Sequence, residues 1–466
     1  MTTAEPSAKR TKLDDASAIK SIPAEECITF HLLKRGPGGA VVMDDDAHFP
    51  PEMTHQLFGQ DETIRGYLGL DIDIWLTPRF QPFLDVKFDK HSKGTPAFKD
   101  IEDNFVFDIA VPFKKTFSSC LFTEKPSFDK ALAAEPDLVL EELGEQVASL
   151  KLPLEGDGSE LLIFRSQLST ASAALRSLHT CLQPLLVFFI DAASEISQDD
   201  PNWELFLCVE KSGDGELEVV GFTTCYKFYV FPDKNRVRLS QILVLPPHQG
   251  KGAGSLLLDS VYSFADGLNA VDLTFEDPTE TLQKMRDRKD LHRLLGCPWA
   301  IEAATSALKA TASDKGKGKA DDKESSATSP FNLNPELRAK MQIELRLSKS
   351  QAQRVWETML YSIADSTNQT EAVSSWIEDS LKESIASAQK GAANKAVTDT
   401  EDGWVMYRGA VPGTGKPVVP LAPVEEASAE QKAESIKQFS KQRMTDIKAV
   451  LGFESDEDEE EEEGDE

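Results

Sequence analysis

The chain has 466 residues, room for two to four domains of roughly 100–200 residues, and its 40% hydrophobic and 28% charged residues are the balance of a folded globular protein. Lys and Arg number 50 against 79 Asp and Glu, giving a net charge of -29. A surface of that sign gains little from displacing counterions on nucleic acid and instead favours cationic partners such as basic peptides.

No run of about 20 apolar residues is present, and the N-terminal stretch lacks the apolar segment of a secretory signal, so no membrane association is expected. The six cysteines (Cys27, Cys120, Cys181, Cys208, Cys225, Cys297) are scattered without a C-x-x-C pair. This argues against structural zinc and a disulfide framework and suits buried free thiols in a reducing compartment.

Residues 1–23 read as a polar, disordered segment in which Lys9, Arg10 and Lys12 form a short basic cluster open to nuclear import machinery. An α+β domain is expected over 24–158, with the strand-like pieces CITFHLL and FLDVKF flanking the polar loop THQLFGQDETIRGYLGL. ELLIFRS opens a second domain over 159–295. The Ala- and Leu-rich segment from Thr170 to Ser194 is helical, kinked or restarted at Pro184. WELFLCVEK and ELEVVGFTTCYKFYVF around SGDG form a hairpin, RVRLSQILVL is another strand, and Leu257, Val261, Phe264 and Leu268 recur at helical spacing. With AVDLTFED as a last strand, the order predicts a mixed α/β core.

A flexible, Lys/Gly/Ser-rich linker is expected over 296–329 and a helical region over 330–452, with a disordered insert at about 366–429. Asn334-Pro335-Glu336 starts one helix, and Ser348 with Gln351 makes a capping box for the next, which carries Val355, Met359 and Ile363 on one face. An amphipathic helix spans roughly Glu430 to Leu451. The tail over 453–466, with 11 acids from Glu454 to Glu466, stays solvated through self-repulsion.

The chemistry-bearing stretch is RLSQILVLPPHQGKGAGSLLLDSV, an apolar strand running through Pro-Pro and a Gly-rich turn into a helix. Backbone N–H groups at such a helix start can approach a phosphate closely. A P-loop is excluded because Gly252, not Ser or Thr, follows Lys251 and Leu245 stands where its first glycine belongs; G-x-G-x-x-G fails at Ser255 or Leu257. Gln249-x-x-Gly252-x-Gly254 remains, and it resembles the pyrophosphate signature of the GNAT-type N-acetyltransferases. The alternative is an ordinary strand-to-helix turn. Apolar alternation breaks at Ser240-Gln241, where a β-bulge is expected; the other reading is a plain buried strand with one Gln. His248 reads as a flanking surface imidazole.

Taken together, THQLFGQDETIRGYLGL, FFIDAASEISQDDPNW, YVFPDKNRVRLSQILVLPPHQGKGAG, LTFEDPTETLQKMRD and PELRAKMQIELRLSKSQAQRVWETML resemble the type B histone acetyltransferase catalytic subunits. The resemblance implies an α/β acetyltransferase fold with a mixed, mostly antiparallel sheet, an N-terminal α+β domain and a helical C-terminal domain. It implies acetyl-CoA as co-substrate and no metal, with Ile242, Leu243 and Val244 along the cofactor arm and Gln249, Gly250, Lys251, Gly252, Ala253, Gly254 and Ser255 around the pyrophosphate. Glu276 matches the general base and Asp277 its neighbour. Asp191 stands where the family usually has Glu. Gln60, Asp61 and Glu62, with Tyr226, Lys227 and Phe228, match segments that contact the histone tail. The implied activity is transfer of acetyl to a lysine of newly made, free histone H4 by direct attack in a ternary complex. H3 as possible co-cargo, a WD40-repeat histone-binding subunit, and residence in nucleus and cytoplasm go with it, without direct nucleic-acid or membrane binding.

Glu276 also has an argument from chemistry. A lysine with a reference pKa of about 10.4 is under about 0.1% neutral at pH 7, so a carboxylate must take its proton. The bland reading of Glu276-Asp277 is a solvated strand end before Pro278. An acyl-cysteine route lacks a His beside any Cys in the sequence. Alternatives to histone acetylation are an acetyltransferase of other protein lysines or small amines, and an inactive histone-binding chaperone.

Overall fold

Two sheets share one apolar core within the first of two units into which the chain divides, Met1–Glu276 and Asp277–Glu466, in a computed structural model that describes residues 21–35, 41–91, 108–152, 158–314, 329–382 and 429–452. The basic N-terminal cluster, residues 315–328 of the expected linker, residues 383–428 and the acidic tail lie outside the described residues. Order starts slightly earlier than the sequence suggests, because Ile22 and Pro23 pair with Ile64 and Thr63.

The smaller sheet holds β1 (Ile28–Arg35), β2 (Val41–Phe49), β3 (Asp71–Leu76) and β4 (Pro82–Lys87) in the order β2-β1-β3-β4. Between its strands lies the short helix α1 (His55–Phe58). The helices α2 (Ala110–Phe117) and α3 (Lys125–Ala134) follow. The apolar positions of β1 and β3 point into a core built around Phe30, Phe49, Phe113 and Phe188. There the Phe30 ring meets that of Phe188 edge-on at 5.1 Å.

The larger sheet runs β10-β9-β8-β7-β6-β5 across β5 (Glu145–Lys151), β6 (Glu160–Gln167), β7 (Trp203–Lys211), β8 (Leu217–Val230), β9 (Lys234–Val244) and β10 (Leu273–Phe275). Within this sheet, among the described residues, β9 and β10 alone pair in parallel. The sheet begins at Glu145, not at Ser159: β5 is so exposed that it carries no buried stripe for sequence reading to catch. Helix α4 (Ala173–Leu182) starts under a Ser172 cap, and Pro184 turns it into a 3₁₀ segment, Gln183–Phe188. Helix α5 (Ala253–Gly267) buries Leu257, Leu258, Val261 and Phe264.

The second unit is helical. Its helices include α6 (Glu280–Leu295), α7 (Pro298–Asp314), α8 (Pro335–Leu345), α9 (Lys349–Asp365) and α10 (Ala429–Leu451). Helix α6 belongs here and not to the sheet domain, since Leu291 and Leu294 join Ala300, Met341, Trp356 and Ile447 in one core. The linker expectation fails over Pro298–Asp314, where Ala300, Ala304 and Leu308 are buried at helical spacing. The disordered insert expected from about 366 likewise fails over 370–382, a helix whose Val373, Trp376 and Ile377 are buried. Ser348 caps α9 as expected, but Gln351 sends its amide to the buried Asp287 and Asp290, both at 2.9 Å, instead of back to the cap.

Candidate active site

Strand β9 carries the first half of the site. Its register against β8 slips between Leu239 and Gln241, so Ser240 is the bulged residue and the expected break in alternation is a real bulge. Strand β10 covers β9 only from Val237 to Leu239. Beyond the bulge, Ile242, Leu243 and Val244 pair with β8 on one side and have no strand partner on the other among the described residues. That leaves main-chain groups on the open edge for an extended ligand arm.

Past Val244 the chain turns through Pro246–His248 and enters α5. Gln249 aims its amide back at the Val244 carbonyl, 3.0 Å away, which closes the turn. Gly250 and Gly252 sit at φ +76° and +94°, a region that side-chain-bearing residues rarely adopt. Gly252 is the N-cap of α5, with no side chain capping the helix. The N–H groups of its first turn lack intrahelical acceptors and carry the positive end of the helix dipole. A Cβ on Gly250 would project into open space, while one on Gly252 would press on Leu150 at 3.2 Å. The cradle of Gly252, Ala253, Gly254 and Ser255, with Lys251 beside it, therefore fits a pyrophosphate by main-chain donors and charge.

Glu276 follows directly on β10. Its N–H donates to the Leu239 carbonyl at 3.0 Å, and its carboxylate accepts from the Ser240 hydroxyl at 2.5 Å. The bulge thus fixes the exposed carboxylate beside the point where β9 and β10 part. Asp277 is not on the strand at all. It sits at φ +34°, so strand alternation does not govern where it points.

The acceptor side is assembled from distant segments. Asp191 contacts Nε2 of His55 at 2.9 Å, and Nδ1 of the same ring lies 3.9 Å from Glu62. Glu62, itself at φ +50°, accepts from the Thr54 N–H at 2.6 Å and its hydroxyl at 2.9 Å. Main-chain bonds from Glu52 and Met53 to the Phe188 carbonyl tie this segment to the turn before Asp191. Three residues on, the Ser194 carbonyl accepts from the Gln241 amide, whose oxygen is held by Thr224. Contacts therefore run from Glu62 through His55 to the Asp191 loop and on to the bulge that grips Glu276. Gln60 and Asp61 lie exposed in the turn after α1.

Tyr226, Lys227 and Phe228 do not act as one patch, because successive strand residues face opposite sides. Tyr226 donates to Asp200 at 3.0 Å, and its ring meets Phe228 at a tilt and Trp203 edge-on, with centroids 4.6 and 4.8 Å away. Lys227 is turned to the α5 side, where its ammonium meets the buried Glu204 at 2.7 Å. Arg165 binds the same carboxylate at 3.1 Å and lies over the Phe264 ring. His248 is not a surface group. It is 3% exposed, between Glu210 and Glu218. Sequence reading also missed His55, whose only signal is a lone imidazole in THQLFG, and the anchoring of Gln241, signalled by one amide in an apolar run.

An open-edged bulged strand, an anion cradle at a helix start and a carboxylate at the strand fork define a GNAT-class acetyltransferase. Residues 175–285 match the acetyltransferase (GNAT) family, and residues 20–191 match the family described as histone acetyl transferase HAT1 N-terminus. A histone acetyltransferase type B catalytic subunit of Arabidopsis thaliana is 27% identical over 95% of this chain and 94% of its own length. The Homo sapiens protein of the same name is 34% identical over 52% of this chain and 58% of its own length. The chain is similar over most of its length to the type B histone acetyltransferase catalytic subunits, and its matched regions are those of a GNAT-class histone N-acetyltransferase, a fold that uses acetyl-CoA.

Proposed function

We propose that this enzyme acetylates a lysine in the N-terminal tail of free histone H4 by direct attack within a ternary complex, with Glu276 as general base. The observation that carries the reading is the Ser240–Glu276 bond, which sets one carboxylate at the fork between β9 and β10, next to the open edge of Ile242–Val244. Bound acetyl-CoA supplies an activated thioester. Lys251 and the N–H groups from Gly252 to Ser255 hold its pyrophosphate, and Ile242–Val244 align its arm. Glu276 takes a proton from the substrate ammonium, directly or through a water, and so supplies the neutral amine that attack requires. Asp191 and Asp277 tune that base or orient the water. Glu62 and Asp191 add negative charge along the path of a basic peptide, with Asp61 in the adjacent turn.

The thiols support direct attack over an acyl-cysteine. Burial pushes Cys27 and Cys208 up to about 12 and also raises Cys225, so these thiols hold almost no thiolate at neutral pH. A WD40-repeat histone-binding subunit, H3 as co-cargo, and residence in nucleus and cytoplasm complete the proposal, on the family's pattern. Mass spectrometry of purified free H4 after incubation with the protein and acetyl-CoA tests it. Acetyl groups on tail lysines are expected; unmodified H4 beside an acetylated small amine would move the substrate class elsewhere.

A further inference from the structure

Immediately before the cofactor cradle lies a buried charge cluster that the reaction does not use. The His248 ring has Nε2 3.3 Å from Glu218 and Nδ1 3.7 Å from Glu210. These residues stand on the neighbouring strands β8 and β7, and Lys34 of β1 closes the cluster at 3.0 Å from Glu218. Lys251, inside the cradle, also acts on Glu210. Strand β2, which packs against the same turn, directs Ala47 and Phe49 inward and His48 outward. Neither ring nitrogen makes a well-aligned hydrogen bond. What holds the imidazole is therefore charge in a poorly solvated place, where an ion pair weakens little through screening.

We propose that His248 is a positioning residue for acetyl-CoA: as an imidazolium it pins the Pro246–His248 turn to Glu210 and Glu218 and so fixes the direction of the donors that follow from Gln249 to Gly252. The turn has few other fasteners. Leu245 donates to the Val220 carbonyl, His248 and Gln249 bond within the turn, and the Gln249 amide reaches Val244. Burial alone drives the imidazole toward its neutral form, but the two carboxylates outweigh it and raise its pKa above the ordinary value. The sign follows. The charge, and with it the pinning, is present below the ordinary histidine value and is lost as pH rises through the raised one. Cofactor affinity should then weaken on the alkaline side.

The proposal rests on reading Gln249–Ser255 as the pyrophosphate turn, and the experiment separates the two. Calorimetry with acetyl-CoA from pH 6.5 to 9 should show wild-type affinity falling about threefold or more as the imidazolium is lost. His248→Phe fills the space without charge and should bind at the weaker, alkaline level throughout, removing that slope. Glu210→Gln should keep the fold and move the slope to lower pH. The His248 ring resonance, followed by NMR, should titrate above the ordinary histidine range. A His248→Phe curve parallel to wild type, or a ring titrating below that range, would overturn the proposal while leaving the pyrophosphate reading intact. Gly252→Asp should lose affinity equally at every pH; unchanged binding there would remove the pyrophosphate reading itself.

Discussion

The cofactor cradle and the acceptor side solve the same problem, holding polar groups still, by opposite means. The cradle is one continuous segment, Val244 to Ser255, whose donors are main-chain groups set by two glycines at positive φ and a helix start. The acceptor side joins Thr54, His55 and Glu62 to Asp191 and, through Ser194, to Gln241. Two buried imidazoles of the same unit have opposite pH logic. His248 is held charged by two carboxylates, whereas His179 on α4 meets the Gln198 amide at 3.0 Å and the Phe222 ring edge-on, and burial lowers it to about 4. Main-chain sites tolerate side-chain change but not backbone change. Side-chain networks show the reverse.

The largest effect should come where the two regions meet. Glu276→Gln keeps size and hydrogen bonding but cannot accept the proton, so kcat should fall by about 10²–10⁴ while acetyl-CoA affinity survives. A variant retaining half the wild-type kcat would shift the base to Asp277, Asp191 or a water chain. Gly252→Asp strikes the cradle alone. Charge and a strained φ should cost about tenfold or more in acetyl-CoA affinity, measured by calorimetry on protein whose circular dichroism is unchanged.

A smaller change is expected on the acceptor side. His55→Gln removes the bridge between Asp191 and Glu62 and should raise KM for an H4-tail peptide by about three- to tenfold without altering acetyl-CoA binding; equal losses for both ligands would show that the regions are not separable. The smallest effect at neutral pH belongs to His179. Its depressed pKa means stability is lost as pH falls from about 6.5 toward 4, on the order of 1 kcal/mol by pH 5.5. His179→Asn keeps an acceptor for Gln198 and should flatten that acid limb in urea titrations, with little change at pH 7.5 beyond lost packing.

How much could be read from the chain alone follows the same division. The turn Gln249-x-x-Gly252-x-Gly254, the bulge at Ser240 and the caps at Asn334 and Ser348 were legible, because each depends on neighbours within a few residues. The polarity of Gln241 was visible, but not that Thr224 and Ser194 hold it. Strand β5 was missed because an exposed edge strand has no apolar alternation, and the helices over 298–314 and 370–382 were hidden by Ala-, Ser- and Thr-rich composition. Parity should have separated Lys227 from Tyr226 and Phe228, had the strand's two faces been assigned. Sequence by itself determined the backbone chemistry, since φ freedom, strand period and helix starts are local properties. Only the tertiary structure decided which charges meet: whether an imidazole lies between two carboxylates like His248, or against one amide like His179, depends on strands and loops tens of residues away.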